Sequence, residues 1–195
     1  MFSRLSRDFF TCPTLTVARS ILGARLVRVE AGQRLAGIIT EAEAYIGETD
    51  LGCHARAGRT PRTAVMYGPP GHAYVYFTYG MYWMLNFVTE AEGFPAAVLV
   101  RAIVPVEGEA TMRRLRKGKP ASVLTDGPAK LTQAMAIDGQ LNGVDVCASG
   151  AVLFVEKVRP SLPEAQVACG PRVGIDRVRE PWKSKPWNFS LIRDG

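Results

Sequence analysis

The sequence predicts an α+β fold, a curved antiparallel β-sheet flanked by helices with one protruding β-hairpin. The strand-like runs follow one another through turn residues, as in antiparallel sheets, and only a few short helical patterns lie between them. A chain of 195 residues is long enough to bury a sizeable core. We find no linker, repeat or low-complexity segment, so residues 1–195 are assigned to a single domain.

The first elements are a helix and a hairpin. Residues 13–22 have a helical period, and Gly23 is a suitable stop. The residues expected on the inner side of this helix are Leu15, Ala18, Ile21 and Leu22. Residues 25–30 alternate as a strand, residues 31–33 form a turn, and the return strand begins at Arg34.

A second hairpin follows the rigid YGPPG loop at residues 67–71. Two β-rich runs within residues 73–88 flank Tyr79, Gly80 and Met81. Gly80 can adopt the positive φ that a tight hairpin requires. Most aromatic residues of such a hairpin belong to the core, but a tip residue is usually exposed, so we expect Tyr79 to project from the domain.

One arginine interrupts an apolar strand. Residues 96–103 are apolar except for Arg101, which indicates a strand buried on both faces. A buried guanidinium needs an anionic partner. Residues 96–103 alone leave open whether that partner is a carboxylate of the protein or a phosphate.

The remaining elements are predicted from shorter patterns. Residues 107–117 indicate a helix that ends in basic residues, and Thr125-Asp126 can cap a helix through Ala136. Its inner side would be Leu131, Ala134 and Met135. Residues 151–158 predict a strand. The last forty residues are basic, with Trp182 and Trp187 interleaved.

Composition favours an intracellular protein with an anionic partner. The net charge is +6 and the pI is about 9.4, which is compatible with nucleic acid. Four scattered cysteines indicate reduced thiols, and two histidines without a ligand motif argue against a metal site. We expect no signal peptide and no membrane span.

Residues 39–62 concentrate chemically active side chains. On an alternating strand Glu41, Glu43 and Tyr45 share one face, which suits a pocket wall better than a core. The residues that follow within two dozen positions are His54, Arg56, Arg59 and Arg62. Acid, aromatic ring, histidine and arginines together suggest chemistry on an aromatic group attached to phosphate.

Excision of a nucleic-acid base would use these residue types. The base must leave the stack, lie against aromatic rings and be replaced by a wedge in the duplex. A carboxylate must activate water. The candidates are Glu43 as the base, Tyr45 and Tyr76 for stacking, Tyr79 as the wedge and Asn86 to contact a base edge. No lysine lies in these stretches, so an imine-forming lyase step is not indicated.

Two other functions stay open on the residues alone. Glu41 and Glu43 would lie about 7 Å apart along a strand, a spacing that a sugar glycosidase could use. That reaction gives no role to the basic loop or to the Tyr79 tip. A non-catalytic nucleic-acid-binding domain is the second alternative.

Several segments together resemble the alkyladenine (3-methyladenine) DNA glycosylase family. They are EAEAY (41–45), H-x-R-x-x-R-TPR (54–62), YVYFTYGMYWMLN (74–86), LVRAIVPVEG (99–108), DGPAKLTQAMAI (126–137) and PRVGI (171–175). The match runs in order from about Pro13 nearly to the C-terminus. The run DRVREPWKSK after PRVGI fits the family pattern only in part.

The resemblance implies a role for each candidate residue. Glu43 matches the general base, and Arg101 matches the arginine near the attacking water. The residues expected around the flipped base are Tyr45, His54, Tyr76 and Asn86, where Asn86 would exclude guanine. Those expected to contact DNA are Tyr79 and Met81 at the intercalating tip, and Arg56, Arg59 and Arg62 at the backbone.

The resemblance also implies how the protein works as a whole. We expect a monofunctional, monomeric glycosylase without metal or cofactor, acting on double-stranded DNA that contains a damaged purine. The short chain looks like a bacterial member, which implies a cytoplasmic enzyme that acts at the nucleoid. A cationic base such as 3-methyladenine should leave more readily than neutral hypoxanthine, since no acid besides His54 is apparent.

Overall fold

The centre of the fold is an open antiparallel sheet. The structure, a computed structural model, describes residues 3–157 and 166–192. Within these residues nine strands form the sheet and four short helices flank it, which confirms the predicted α+β class. In the same part of the chain, no helix combines the length and apolarity needed to cross a bilayer.

The strands are β1 (Ser3–Arg4), β2 (Arg25–Glu30), β3 (Gln33–Ile46), β4 (Ala73–Thr78), β5 (Tyr82–Val88), β6 (Ala96–Glu107), β7 (Leu153–Lys157), β8 (Val167–Gly170) and β9 (Asn188–Leu191). The helices are α1 (Arg7–Phe10), α2 (Thr14–Ser20), α3 (Glu109–Leu115) and α4 (Pro128–Ala134). Short 3₁₀ turns include His54–Ala57 and Ala64–Tyr67.

Strand β3 organises the sheet. The strand order is β1-β7-β2-β3-β6-β5-β4, and β9 also pairs with β3 while β8 pairs with β9. The first half of β3 pairs with β2, residues 41–43 pair with β9, and β6 runs along the other side of residues 36–46. The second half of β3 therefore has a neighbouring strand on each side, and Glu43 lies in the interior of the sheet.

The helices cover the apolar face, with one change from the prediction. The expected inner residues of α4, Leu131, Ala134 and Met135, are all buried. In α2, Val17 and Ala18 are buried but Leu15 is 38% exposed. The prediction for Leu15 was wrong because a helix turns by about 100° per residue, so Leu15 lies some 200° from Val17.

The helix boundaries also differ. Helices α2, α3 and α4 each end two residues before the predicted end, and the starts of α3 and α4 differ as well. Thr125 and Asp126 do not cap α4: the Thr125 hydroxyl donates to the Ile103 carbonyl at 2.6 Å. Gly127 occupies the N-cap and Pro128 begins the helix, a position where the missing proline N–H costs nothing. Residue Glu107 ends β6 rather than opening α3, because Gly108 at φ 76° turns the chain between them.

The other strand predictions hold with small shifts. Strand β2 has the expected bounds, and β3 begins one residue earlier than expected. Strand β6 continues to Glu107, four residues beyond the predicted end. Strand β7 is shorter than the predicted 151–158, and Val158 lies outside the described residues.

The β4–β5 hairpin carries an exposed aromatic tip, as the sequence predicts. Tyr79 and Gly80 have φ values of 52° and 68°, and the Met81 N–H donates to the Thr78 carbonyl at 3.2 Å. Positive φ at both central residues is typical of the two-residue turns that match strand twist. Tyr79 is 79% exposed and Met81 60%, so the tip presents apolar side chains to its surroundings.

Candidate active site

Glu43 is a buried carboxylate with every acceptor position filled. Its side chain is 0% exposed. Oε1 accepts from the Val173 N–H at 2.6 Å and the Asn188 amide at 3.0 Å. Oε2 accepts from the Tyr45 hydroxyl at 2.8 Å and from Arg101 Nη1 at 3.3 Å. A carboxylate has about four lone-pair positions, so these donors use them all.

The anionic partners of Arg101 are the two glutamates of β3. Arg101 Nε donates to Glu41 Oε1 at 2.7 Å, besides its longer contact with Glu43. The Asn188 amide also bridges Glu41 and Glu43, at 2.8 and 3.0 Å. These shared donors confirm that the two glutamates face the same side of the strand. Arg101 is 12% exposed and lines the adjoining cavity, so it is also placed to meet a ligand.

A cavity of about 370 Å³ adjoins this cluster. Its lining includes every residue expected around the base, namely Tyr45, His54, Tyr76 and Asn86. Tyr45, Arg101 and Val173 also line it and are bonded to Glu43. Glu43 therefore lies directly behind the wall and reaches the cavity through these three residues.

Three aromatic rings form one side of the cavity. The His54 and Tyr76 ring centroids are 4.5 Å apart at 76°, and those of Tyr74 and Tyr76 are 5.3 Å apart. His54 Nδ1 lies 3.0 Å from the Tyr74 hydroxyl oxygen. Tyr74 was not among the predicted site residues, although its two-residue spacing from Tyr76 places both on one strand face. His54 and Tyr76 meet edge to face, and Tyr74 is tilted by 36° against Tyr76, so neither pair is stacked in parallel.

His54 is a neutral imidazole at physiological pH. Burial, with smaller contributions from the Arg62 and Arg56 guanidinium groups, lowers its pKa from 6.5 to about 4. A neutral imidazole can accept and donate hydrogen bonds but does not supply the strongly acidic proton of an imidazolium. His54 thus suits ring contact better than acid catalysis.

Tyr45 remains a protonated donor. Burial, followed by the neighbouring Glu43 carboxylate, raises the pKa of the Tyr45 hydroxyl well above its ordinary value. The ring also lies 4.7 Å from the guanidinium carbon of Arg172. The hydroxyl is thus directed to Glu43 while the ring forms part of the cavity wall.

Asn86 is a fixed part of the cavity wall. It is 4% exposed, and its amide nitrogen donates to the Tyr74 carbonyl at 3.1 Å. This bond holds the amide group in one orientation. A fixed amide can discriminate between ligands by the donors and acceptors on their edges.

The three predicted backbone arginines are exposed but differ in position. Arg56 donates to the Leu51 carbonyl at 3.1 Å. Arg62 lies 5.1 Å from the Tyr76 ring centroid, and Arg59 lies 5.8 Å from that of Tyr67. Arg56 and Arg62 are close enough to His54 to affect its pKa, whereas Arg59 lies beside Tyr67, which is not among the cavity-lining residues.

A buried ion pair supports the cavity and was not predicted. Arg172 and Asp50, 122 positions apart, form two bonds of 2.5 and 2.8 Å with both side chains fully buried. Arg172 also donates to the Ala44 carbonyl at 3.1 Å. The adjacent residue, Val173, is the backbone donor to Glu43. No spacing rule connects such distant positions, so the pair carries no signal in the sequence.

The remaining features of the described residues are simple. All four cysteines are free thiols. Within residues 3–157 and 166–192, no group of three histidine, cysteine or acidic side chains forms a cluster that could bind a metal.

A buried carboxylate lies behind an aromatic cavity, near an exposed aromatic tip and a set of arginines, an arrangement compatible with a DNA glycosylase. The comparisons with known proteins agree. The family model of methylpurine-DNA glycosylase (MPG) matches residues 8–194, and the chain belongs to that family.

Relatives of similar length support the assignment. A protein of Methanocella arvoryzae is 53% identical over 95% of this chain and 90% of its own length. Proteins of Myxococcus xanthus and Carboxydothermus hydrogenoformans are both 46% identical, covering 97% and 96% of this chain and 90% and 94% of their own lengths. Each carries the name "Putative 3-methyladenine DNA glycosylase". Methylpurine-DNA glycosylases are enzymes that act on DNA. Membership of this family therefore supports neither the sugar glycosidase nor the non-catalytic binding domain considered above.

Proposed function

We propose that this protein hydrolyses the N-glycosidic bond of alkylated purines, and of some deaminated ones, in double-stranded DNA. The observation that carries the proposal is the position of Glu43. Its side chain is fully buried, and three of the residues bonded to it line a cavity with aromatic walls. Hydrolysis at a sugar carbon needs a carboxylate to activate water and to stabilise a cationic sugar-like transition state.

The flipped base occupies the cavity. The rings of Tyr45, His54 and Tyr76 hold it by stacking and edge contacts, which contribute about 1–3 kcal/mol per base. Tyr79, assisted by Met81, enters the duplex and fills the gap that the base leaves. Arg56, Arg59 and Arg62 bind phosphates of the bent backbone. The exposure of the hairpin tip supports this arrangement.

The attacking water enters between Arg101 and Glu43. At 3.3 Å, the hydrogen bond from Arg101 to Oε2 is the longest of the four bonds to Glu43 and therefore the weakest. Arg101 keeps its 2.7 Å bond to Glu41 when it yields this position. A water placed there would donate to Glu43 and accept from Arg101, next to the sugar of a nucleotide whose base is in the cavity.

The enzyme is monofunctional. A lyase step would need an amine that forms an imine with the sugar. In the described part of the chain, no lysine is among the residues that line the cavity. Water is then the nucleophile, and an abasic site is the product.

The protein works as a monomer on damaged duplex DNA in the bacterial cytoplasm, at the nucleoid. The net charge of +6 favours association with DNA.

The test is single-turnover base release from a duplex with one 7-methylguanine. We expect the wild type to release the nucleobase. In Glu43→Gln, an isosteric change that removes the general base, we expect the rate of release to fall by several orders of magnitude. Glu41→Gln is the matched control on the same strand face, and we expect a much smaller loss because Glu41 contacts Arg101 and Asn188 rather than the water.

Two results would contradict the proposal. Tight DNA binding without base release by the wild type would indicate a binding protein. Equal losses in Glu41→Gln and Glu43→Gln would indicate that the two glutamates act as a pair, as in a sugar glycosidase.

A further inference from the structure

A second cavity of about 500 Å³ lies beside the first. The two share a wall that includes His54, Tyr79 and Gly174. The second cavity is a groove on the other side of this wall, and the roles assigned above involve only His54, Arg56 and Tyr79 of its lining. Its lining differs from that of the base cavity because it contains charged side chains, Arg56, Asp176 and Arg177.

Arg56 is held at one edge of this groove. It follows His54 in the 3₁₀ turn His54–Ala57, and its Nη1 donates to the carbonyl of Leu51, which also lines the groove. One bond to a neutral carbonyl leaves the charge of the guanidinium uncompensated. The other N–H groups of Arg56 are therefore available to an anion.

Arg177 is a second arginine in the lining of the groove. The Val178 N–H donates to the Ile175 carbonyl at 2.9 Å, which closes a turn with Asp176 and Arg177 at its two central positions. Side chains at these positions of a turn project outward, and both are exposed. Two guanidinium groups and one carboxylate give the groove a net charge of +1.

A phosphodiester fits this place and this charge. The base of a flipped nucleotide enters the first cavity past His54 and Tyr79, so the backbone attached to it must continue along the outside of the same wall. Arginine binds phosphate oxygens through paired N–H groups. An uncharged base would find no aromatic platform in the groove other than the outer surfaces of His54 and Tyr79.

We propose that the groove binds the DNA backbone on one side of the flipped nucleotide, with Arg56 and Arg177 on the same phosphate segment. This inference rests on the proposed function and extends it, since it assigns Arg177 to the DNA-binding surface and gives Arg56 a specific position. The negative charge of Asp176 repels the phosphate and weakens its binding.

The test is the salt dependence of DNA binding by the full chain. Two duplexes are compared, one with a single tetrahydrofuran analogue of an abasic site and one undamaged. Each phosphate contact contributes about 0.9 to the slope of log K against log salt. We expect Arg56→Gln and Arg177→Gln each to reduce the slope by about that amount on the analogue duplex, and less on the undamaged one.

Lys157→Gln is the matched control. It also removes one exposed positive charge, but on β7, which β2 separates from β3. Its slope should equal that of the wild type. Asp176→Asn should tighten binding to the analogue duplex. Unchanged slopes in the two arginine variants, equal losses in all three cation variants, or no gain in Asp176→Asn would each overturn the assignment.

The outcome is separable from that of the base-release test. Binding is measured without any chemical step. If the arginine variants reduce the salt slope but the wild type releases no base, the assignment of the groove stands and the glycosylase mechanism is refuted. Base release with unchanged slopes would keep the mechanism and refute the groove.

Discussion

At the scale of single residues, Glu43 is saturated with donors. A general base must have a free lone pair for the proton it accepts. The bonds from Val173, Asn188, Tyr45 and Arg101 occupy the lone pairs of Glu43. The proposed role of Glu43 as the base therefore requires that one donor withdraw. Of the four donors, Tyr45 and Arg101 combine a bond to Oε2 with a side chain that lines the base cavity.

Replacement of Tyr45 separates its ring from its hydroxyl. Tyr45→Phe keeps the ring for stacking and frees a position on Glu43 Oε2. We expect single-turnover base release at least as fast as that of the wild type. Tyr45→Leu loses the ring and should be roughly ten- to a hundredfold slower, in line with a stacking contribution of about 1–3 kcal/mol. If Tyr45→Phe were as slow as Tyr45→Leu, the hydroxyl itself would have a role in the reaction.

At the scale of elements, one ion pair connects three segments. Arg172 bonds to Asp50 in the loop before His54 and to the Ala44 carbonyl of β3, and its neighbour Val173 bonds to Glu43. Its guanidinium carbon also lies 5.0 Å from the Trp187 ring, just before β9. The geometry of Glu43 and Tyr45 thus depends on a fully buried pair.

Breaking this pair should be costly. Arg172→Met leaves Asp50 buried without its cation, a change that costs about 3–5 kcal/mol. Arg172→Lys keeps the charge but loses the paired geometry, so its loss should be intermediate. Arg113→Met is the control: its pair with Glu109 has side chains 43% and 44% exposed, and its loss should stay below about 1 kcal/mol.

Urea unfolding of the four proteins measures these differences, as shifts in midpoint at constant slope. The predicted order of stability is wild type, Arg113→Met, Arg172→Lys and Arg172→Met. A midpoint for Arg172→Met equal to that of Arg113→Met would show that the buried pair does not contribute to stability.

The same elements show what the sequence could and could not supply. Alternation placed Glu43 and Tyr45 on one face, and Gly80 marked the hairpin turn, because both signals are local. The resemblance selected the cavity residues and Arg101. The residues that were not predicted are Asp50, Arg172 and Asn188, because their roles arise from contacts between segments far apart in the chain. The predicted cap at Thr125 failed for a related reason, since its hydroxyl binds the distant Ile103 carbonyl.

At the scale of the whole molecule, the described residues of the candidate site offer one proposed base, the carboxylate of Glu43, and no evident acid. The cavity joins the β3 strand, the β4–β5 hairpin and the segment 173–175. Of the titratable side chains that line it, His54 has the pKa nearest neutrality in ordinary peptides, yet here that pKa is about 4. Protonation of a departing base by His54 is therefore rare at pH 7.

Selectivity should then follow the leaving group. A cationic base such as 3-methyladenine departs without further protonation, whereas hypoxanthine must gain a proton or leave as an anion. We expect single-turnover release of 3-methyladenine at pH 7 to be faster than that of hypoxanthine from the same duplex. Glu43→Gln should slow both, because water activation is common to them. Equal rates for the two bases in the wild type would mean that the site supplies a proton after all, and that an acid acts on the base from the cavity wall.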